Sequence, residues 1–226
     1  FFFFFNAIPA DTLKAFNKAV SVRKKIITGE DFGNLAVQYS EDPSAKENKG
    51  NLGYFSTFRM VYPFENGAYT TKVGQVYKTI RTRFGYHLIK VNNVRDNRGE
   101  VNVSHIMLLK SDNKELNEKN KNRIQELYQK LQQGERFEEL AKQFSEDKSS
   151  GSNGGKMATF GSGELSSEEF ENVAFGLTKE ENLSKPFETP FGYHIIRLNE
   201  KFPLKSFEEM EADLQSKVSR DERSRL

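Results

Sequence analysis

The chain has 226 residues, with 34 lysines and arginines against 32 aspartates and glutamates, a formal net charge of +2 and no cysteine. These numbers exclude a disulfide framework, a thiolate nucleophile and cysteine-ligated zinc, and the mixing of the two charge signs leaves no basic stripe with which to follow a nucleic-acid backbone. No apolar run approaches the roughly 20 residues that span a bilayer, and no charged segment leading into an apolar core reads as a signal peptide.

Phe1 to Phe5 open the chain as a low-complexity run. A first strand is expected just before Pro9, where that run stands. From Thr12 onward Leu13, Phe16 and Val20 recur at helical spacing and face one way. The polar, turn-forming RDNRGE (95–100) marks a domain boundary. VNVSHIMLL (101–109) alternates and is rich in β-branched residues, so it reads as a strand. A helix follows around NRIQELYQKL, with Ile124, Leu127 and Leu131 on one face, and ends near Gly134. A shorter helix carries Phe137, Leu140, Ala141 and Phe144. A Gly/Ser-rich loop, a short strand at KMATF (156–160), a helix around SSEEFENVAF and a final strand GYHIIRL (192–198) complete the unit. Beyond Pro203, Ser206 and Glu209 form a capping box. It opens one amphipathic helix through Phe207, Met210, Leu214 and Val218, which breaks off as a helix would in a chain that continues.

The order of elements occurs twice. GEDFGNLAVQYSED (29–42) and GERFEELAKQFSED (134–147) agree at nine of fourteen positions. GNLGYF (50–55) matches GKMATF (155–160), RMVYPFENGAY (59–69) matches ELSSEEFENVAF (164–175), and RFGYHLIK (83–90) matches PFGYHIIR (190–197), with two one-residue insertions between. Such internal repetition sets the architecture before any single motif does. The fold class is therefore α+β, with tandem domains at 1–97 and 98–203 and a C-terminal helix at 204–226.

The repeated residues lack the parts of a hydrolase. Ser104 directly precedes His105, so on a strand the two side chains point to opposite faces and form no dyad. Three histidines without matching carboxylate spacing make a poor metal site, and there is no phosphate-binding loop or dinucleotide fingerprint. No metal or cofactor is expected. What recurs is an apolar trio, Leu52, Met60 and Phe64 against Met157, Leu165 and Phe170, beside an acidic loop at Asp42 and Asp147 and a histidine strand. Alone, such a trio serves a core as readily as a ligand pocket.

The phrase SEDPSAKENKGNLGYFSTFRMVYPFENGAY closing with FGYHLIK resembles the parvulin (PpiC, rotamase) family of peptidyl-prolyl isomerases, and so does the second copy from VNVSHIML to FGYHIIR. Tandem copies with a trailing helix are similar to bacterial cell-envelope chaperones of the SurA type. The resemblance implies that each domain is a four-stranded antiparallel sheet wrapped by helices. It also implies rotation of X–Pro bonds in unfolded or extended polypeptides, envelope or outer-membrane precursors among them, and a periplasmic or cell-envelope location. In the second copy it assigns His105, Asp147, Thr189 and His194 to the catalytic centre and Met157, Leu165, Phe170 and Phe191 to the proline slot. In the first it assigns Asp42, Thr82 and His87, with Leu52, Met60, Phe64 and Phe84 around the slot. No histidine precedes His87, so the first copy shows no first-strand histidine. The second copy departs from the family at GGKMATF and by one extra residue before Phe170. A client-holding chaperone without catalysis would use the same apolar slot.

Overall fold

In the computed structural model, which describes residues 9–225, the chain divides into two compact units. One runs from Asn97 to Lys205; the other joins the residues before it to those from Ser206 on.

The first unit contains α1 (Pro9–Ile27), α2 (Phe32–Tyr39), the one-turn α3 (Ala45–Asn48), α4 (Tyr62–Tyr69) and a tight hairpin, β1 (Ile80–Thr82) with β2 (Gly85–His87). Asp31 caps α2, its carboxylate accepting the Asn34 N–H at 2.8 Å, which satisfies one of the donors a helix start leaves free. Helix α1 forms where the spacing places it, but Leu13, Phe16 and Val20 are 60, 38 and 43% exposed. The side it buries carries Ala19 and Val22, and Val22 packs with Leu35 and Leu88. This helix has two apolar stripes, and the one with the smaller side chains lets its neighbours approach closely. The first strand expected just before Pro9 lies outside the described residues.

The second unit runs β3 (Glu100–Leu109), α5 (Lys114–Gln132), α6 (Phe137–Phe144), a 3-10 turn at Gly151–Asn153, β4 (Phe160–Gly161), α7 (Glu168–Gly176), β5 (Phe187–Glu188) and β6 (Gly192–Phe202). Its sheet is antiparallel throughout, in the order β4-β3-β6-β5. The long central strands β3 and β6 divide two cores by the two-residue period of their side chains. Ile106, Leu108, Tyr193 and Ile195 cluster with Ile124 and Leu127 of α5 and with Phe137, Leu140 and Ala141 of α6. On the opposite face Val101, Val103, Ile196 and Leu198 cluster with Phe160 and with Phe170 and Ala174 of α7. The short strand read at KMATF (156–160) is shorter still and shifted toward its end. Only Phe160 and Gly161 form its ladder, while the Asn102 side chain donates to the Met157 carbonyl at 3.0 Å and the Met157 N–H donates to Val103 at 3.0 Å.

Helix α8 (Phe207–Arg220) begins at the capping box: Ser206 Oγ accepts the Glu209 N–H, and a Glu209 carboxylate oxygen accepts the Ser206 N–H. Among the described residues no helix is long and apolar enough to cross a membrane.

Candidate active site

Antiparallel pairing sets His105 opposite Ile196 and Met107 opposite His194, so the two imidazoles share the face that looks toward α7. Their rings stack with centroids 6.0 Å apart at 15°. Phe170 of α7 meets both edge-on, at 5.6 Å from His105 and 5.4 Å from His194, and Phe187 stacks on His194 at 5.4 Å. Edge-to-face contact places the positive rim of one ring over the negative face of another. Ser104 lies near Asn199 at 3.1 Å and forms no hydrogen bond to His105.

The loop after α6 supplies the polar side. His105 Nε2 lies 2.8 Å from Asp147 Oδ2 and 2.9 Å from Ser150 Oγ. Ser150 also donates to Asp147 Oδ2, and the Ser149 hydroxyl and N–H reach Asp147 Oδ1 at 2.9 and 3.1 Å. An ionised carboxylate only accepts, so the proton of neutral His105 sits on Nε2. Burial raises the Asp147 pKa, but the hydrogen bonds from Ser150, His105 and Ser149 outweigh it and hold the carboxyl well below its usual range. Burial lowers the pKa of His105 against the opposing pull of Asp147. It lowers that of His194 to about 4, with His105 adding to the effect. At neutral pH the site therefore holds one carboxylate beside two uncharged imidazoles. The His105 N–H donates to the Gly155 carbonyl at 2.8 Å. Gly155 has φ +79°, and a Cβ there would stand 2.3 Å from the His105 carbonyl oxygen, so only glycine lets the loop approach this strand.

Thr189, in the turn between β5 and β6, lies 2.8 Å from His194 Nε2 and accepts the Phe191 N–H at 3.1 Å. Met157 and Leu165 are half-buried and pack against the cluster that contains Phe170. Phe191 is 52% exposed and stands apart from that cluster.

The first unit repeats the hairpin half of this arrangement. Thr82 Oγ1 lies 2.7 Å from His87 Nε2 and accepts the Phe84 N–H at 3.0 Å, and Phe64 meets His87 edge-on at 5.4 Å. Burial lowers the His87 pKa to about 4. Met60 and Phe84 are half-buried, and Leu52 is 45% exposed. Asp42 accepts the Ser44 N–H and hydroxyl at 2.9 and 2.8 Å and, among the described residues, meets no imidazole.

Two sets of residues escaped the sequence reading. Ser150 joins His105 to Asp147, but Ala45 stands at its place in the first copy, so repetition could not point to it. The second set is a pair of buried glutamates. Glu171 is 1% exposed; it accepts the Gly163 N–H at 2.8 Å and the Leu165 N–H at 3.2 Å and pairs with Arg98 at 2.9 Å. Glu65 is 4% exposed; it accepts the Phe58 N–H at 2.7 Å and pairs with Arg223 at 3.0 Å. The signal was the FEN phrase kept in both copies, where an acid on an amphipathic helix reads by default as solvated.

Among the described residues no group of histidine, aspartate and glutamate side chains could hold a metal ion. Nor can His105 draw a proton from Ser150, because its Nε2 already carries one and the Ser150 hydroxyl donates to Asp147. The arrangement suits binding and polarising a group rather than attacking it.

An antiparallel four-stranded sheet with two stacked imidazoles facing an aromatic helix is the layout of a parvulin domain. Models of the PPIC-type PPIase (rotamase) domain match residues 9–95 and residues 105–200, and the chain belongs to this family, with two such domains in tandem. It is 34% identical over 197 residues to the chaperone SurA of Pseudomonas aeruginosa, covering 85% of this chain and 46% of that protein. It is 45% identical over 80 residues to the foldase protein PrsA of Geobacillus sp. (strain WCH70), covering 35% of this chain and 29% of that one. A crystal structure of the peptidylprolyl isomerase PrsA from Bacillus anthracis aligns with 35% identity and a TM-score of 0.43, over 54% of this chain and 50% of that one. The chain thus spans about half the length of the SurA relative or less of the others.

Proposed function

We propose that this chain is a peptidyl-prolyl cis-trans isomerase that acts on X–Pro bonds of unfolded or extended polypeptides, with the second domain the stronger catalyst. The observation that carries this reading is the network of Asp147, Ser150, His105 and His194 beneath Phe170, Met157 and Leu165. It sets one carboxylate at the edge of an apolar, aromatic-lined surface and contains no nucleophile.

Rotation about an imide bond faces a barrier of about 18–20 kcal/mol because it breaks C–N conjugation. A catalyst needs no covalent intermediate; it must bind the twisted imide more tightly than either planar form. A millionfold acceleration corresponds to about 8 kcal/mol of such differential binding. An apolar slot strips water from the imide and grips the proline ring. In the twisted state the carbonyl loses electron density donated by nitrogen, and the nearby Asp147 carboxylate interacts with that changed polarity. The histidines are uncharged at neutral pH; His105 holds Asp147 in place, and His194, stacked on His105, helps to shape the site's field. Met157, Leu165 and Phe170 line the slot in this reading and Phe191 borders it, with Leu52, Met60, Phe64 and Phe84 as their first-domain counterparts. Similarity across both copies to a protein named as a chaperone, and over one domain's length to a protein named as a foldase, supports polypeptide clients and a cell-envelope location.

Exchange NMR on a short X–Pro peptide tests the reading. Substoichiometric chain should broaden or exchange the cis and trans peaks. Asp147→Ala should slow that exchange about tenfold or more, the loss expected for a charged hydrogen-bonding group worth about 1.5–3 kcal/mol. Peptide shifts without faster exchange would leave a protein that holds clients and does not turn them over.

A further inference from the structure

The loop before α4 in the first domain contains an uncommon backbone. Phe58 has φ +65°, in the left-handed region that a bulky residue seldom enters without support from its surroundings. Its counterpart in the second domain is Gly163, with φ +81°, where no side chain opposes the turn. Both turns are held alike from within: the N–H of Phe58 donates to Glu65 and that of Gly163 to Glu171. The counter-ions of the two buried glutamates come from different places. Glu171 pairs with Arg98, just ahead of β3, whereas Glu65 pairs with Arg223, beyond the end of α8. Arg223 Nε donates to Asp221 Oδ1 at 2.8 Å, which fixes the guanidinium. Its plane lies 4.1 Å from the Phe58 ring centroid and 4.9 Å from that of Tyr62. One guanidinium therefore balances the buried carboxylate and covers the ring of the residue held in the unfavourable conformation.

We propose that Arg223 is a positioning residue for the first domain. It brings the C-terminal segment onto the Phe58 turn and locks the loop that presents Met60 and leads into α4, which carries Phe64, so that this segment sets the peptide affinity of the first slot. The proposal rests on the reading of Met60 and Phe64 as slot residues. A buried carboxylate left without its cation is strongly unfavourable, and a left-handed phenylalanine without its cover has every reason to relax. The second domain, with glycine at the turn and Arg98 supplied from its own start, needs nothing from the C-terminal segment.

The chain's methionines make the test direct, because Met60 lies in the first slot and Met157 in the second. Titrating the full chain with an X–Pro peptide and following both methyl resonances reads the two slots separately. Arg223→Ala should weaken binding at Met60 roughly tenfold, as for loss of one charge-assisted contact, and leave Met157 within twofold. Arg223→Lys should restore only part, since an ammonium keeps the charge but not the planar stack. Phe58→Gly and Glu65→Gln each remove one reason for needing Arg223, so the Arg223→Ala effect should shrink to within about twofold when both accompany it. An unchanged Met60 titration in Arg223→Ala, or a loss that the paired changes fail to rescue, overturns the proposal. Should neither methyl respond to peptide in the unaltered chain, the slot reading itself fails. Exchange of the Phe58 amide then decides the positioning role: faster exchange in Arg223→Ala supports it and unchanged exchange overturns it.

Discussion

The Thr82–His87 contact is 2.7 Å and the Thr189–His194 contact is 2.8 Å, and in each domain a phenylalanine meets that histidine edge-on at 5.4 Å and 85°. The hairpin half of the site is thus the same in both copies down to the orientation of the rings. The acidic loops are not: Asp147 is tied to His105 through Ser150 as well as directly, while Asp42 holds Ser44 beside Ala45. The comparison separates what the fold requires from what only one domain retains. Threonine, histidine and phenylalanine are packing partners that close the hairpin against α4 or α7. The serine that completes the carboxylate network has Ala45 in its place in the first domain, whose hairpin closes all the same, and under the proposed function it marks the stronger site.

The largest change that would sharpen this comparison is Arg98→Ala. It leaves the buried Glu171 without its cation, at a cost of about 4 kcal/mol, part of which the N–H groups of Gly163 and Leu165 offset. Only the second domain should weaken, so resonances of residues 97–205 should lose native intensity at lower urea while the first domain keeps its midpoint. Equal loss in both domains would mean that their glutamate pairs are not local features. Domain-resolved signals are needed, because a single unfolding transition is not defined for two units that can open separately.

Acid should act next, and unequally. His87 and His194 both have folded-state pKa values lowered to about 4 by burial, against about 6.5 when unfolded. Between those values the unfolded chain binds the proton and the folded chain does not, so stability rises with pH and falls as pH drops from 6.5 to 4. Each histidine contributes at most about 3 kcal/mol to that loss. The second domain adds His105, lowered in the same direction, and Asp147. The depressed carboxyl stabilises the fold above its unfolded pKa, and that contribution is lost only as pH falls below about 4. Urea midpoints measured at pH 7, 5 and 3.5 should therefore fall in both domains and more steeply in the second. A flat profile would show that the imidazoles are solvated.

Thr82→Val and Thr189→Val probe the shared half. Each removes one hydroxyl from a buried imidazole nitrogen and from one backbone N–H, at about 1–1.5 kcal/mol. The two costs should agree within their error in paired urea titrations; a large difference would mean that matching distances hide different roles.

Much of this was legible in the sequence because the chain repeats itself. Alternation and helical spacing located β3, β6 and helices α5 to α7, the capping box at Ser206 marked the start of α8, and the family resemblance, not periodicity, brought His105 and His194 together. Three things were not legible, each for a physical reason. The buried stripe of α1 could not be chosen because Leu13, Phe16 and Val20 form as good an apolar stripe as the one through Ala19 and Val22, and only the neighbours decide. Glu65 and Glu171 looked like solvated helix charges because their partners, Phe58, Gly163, Arg98 and Arg223, are brought to them only by the fold. Ser150 was hidden because repetition reveals what two copies share, and its value lies in what they do not.

That last residue yields the smallest effect and the narrowest test. Ser150→Ala should cost about 1 kcal/mol of second-domain stability, since His105 keeps its direct bond to Asp147. If the network matters for more than packing, the same change should also slow X–Pro exchange about threefold to fivefold while peptide affinity at Met157 stays within twofold, because the serine touches the carboxylate and not the slot. The reverse change, Ala45→Ser, places a hydroxyl beside Asp42 in the first domain. Ala45 is buried, so the new hydroxyl should cost about 1–3 kcal/mol if it finds no partner and little if Asp42 accepts it, and it should raise exchange only if Asp42 lacks nothing but that partner. A rate gain from Ala45→Ser would make the first domain an isomerase one hydroxyl short of its neighbour. No gain, alongside a loss from Ser150→Ala, would locate the difference in the imidazole that Asp147 meets and place the serine in a supporting role to it.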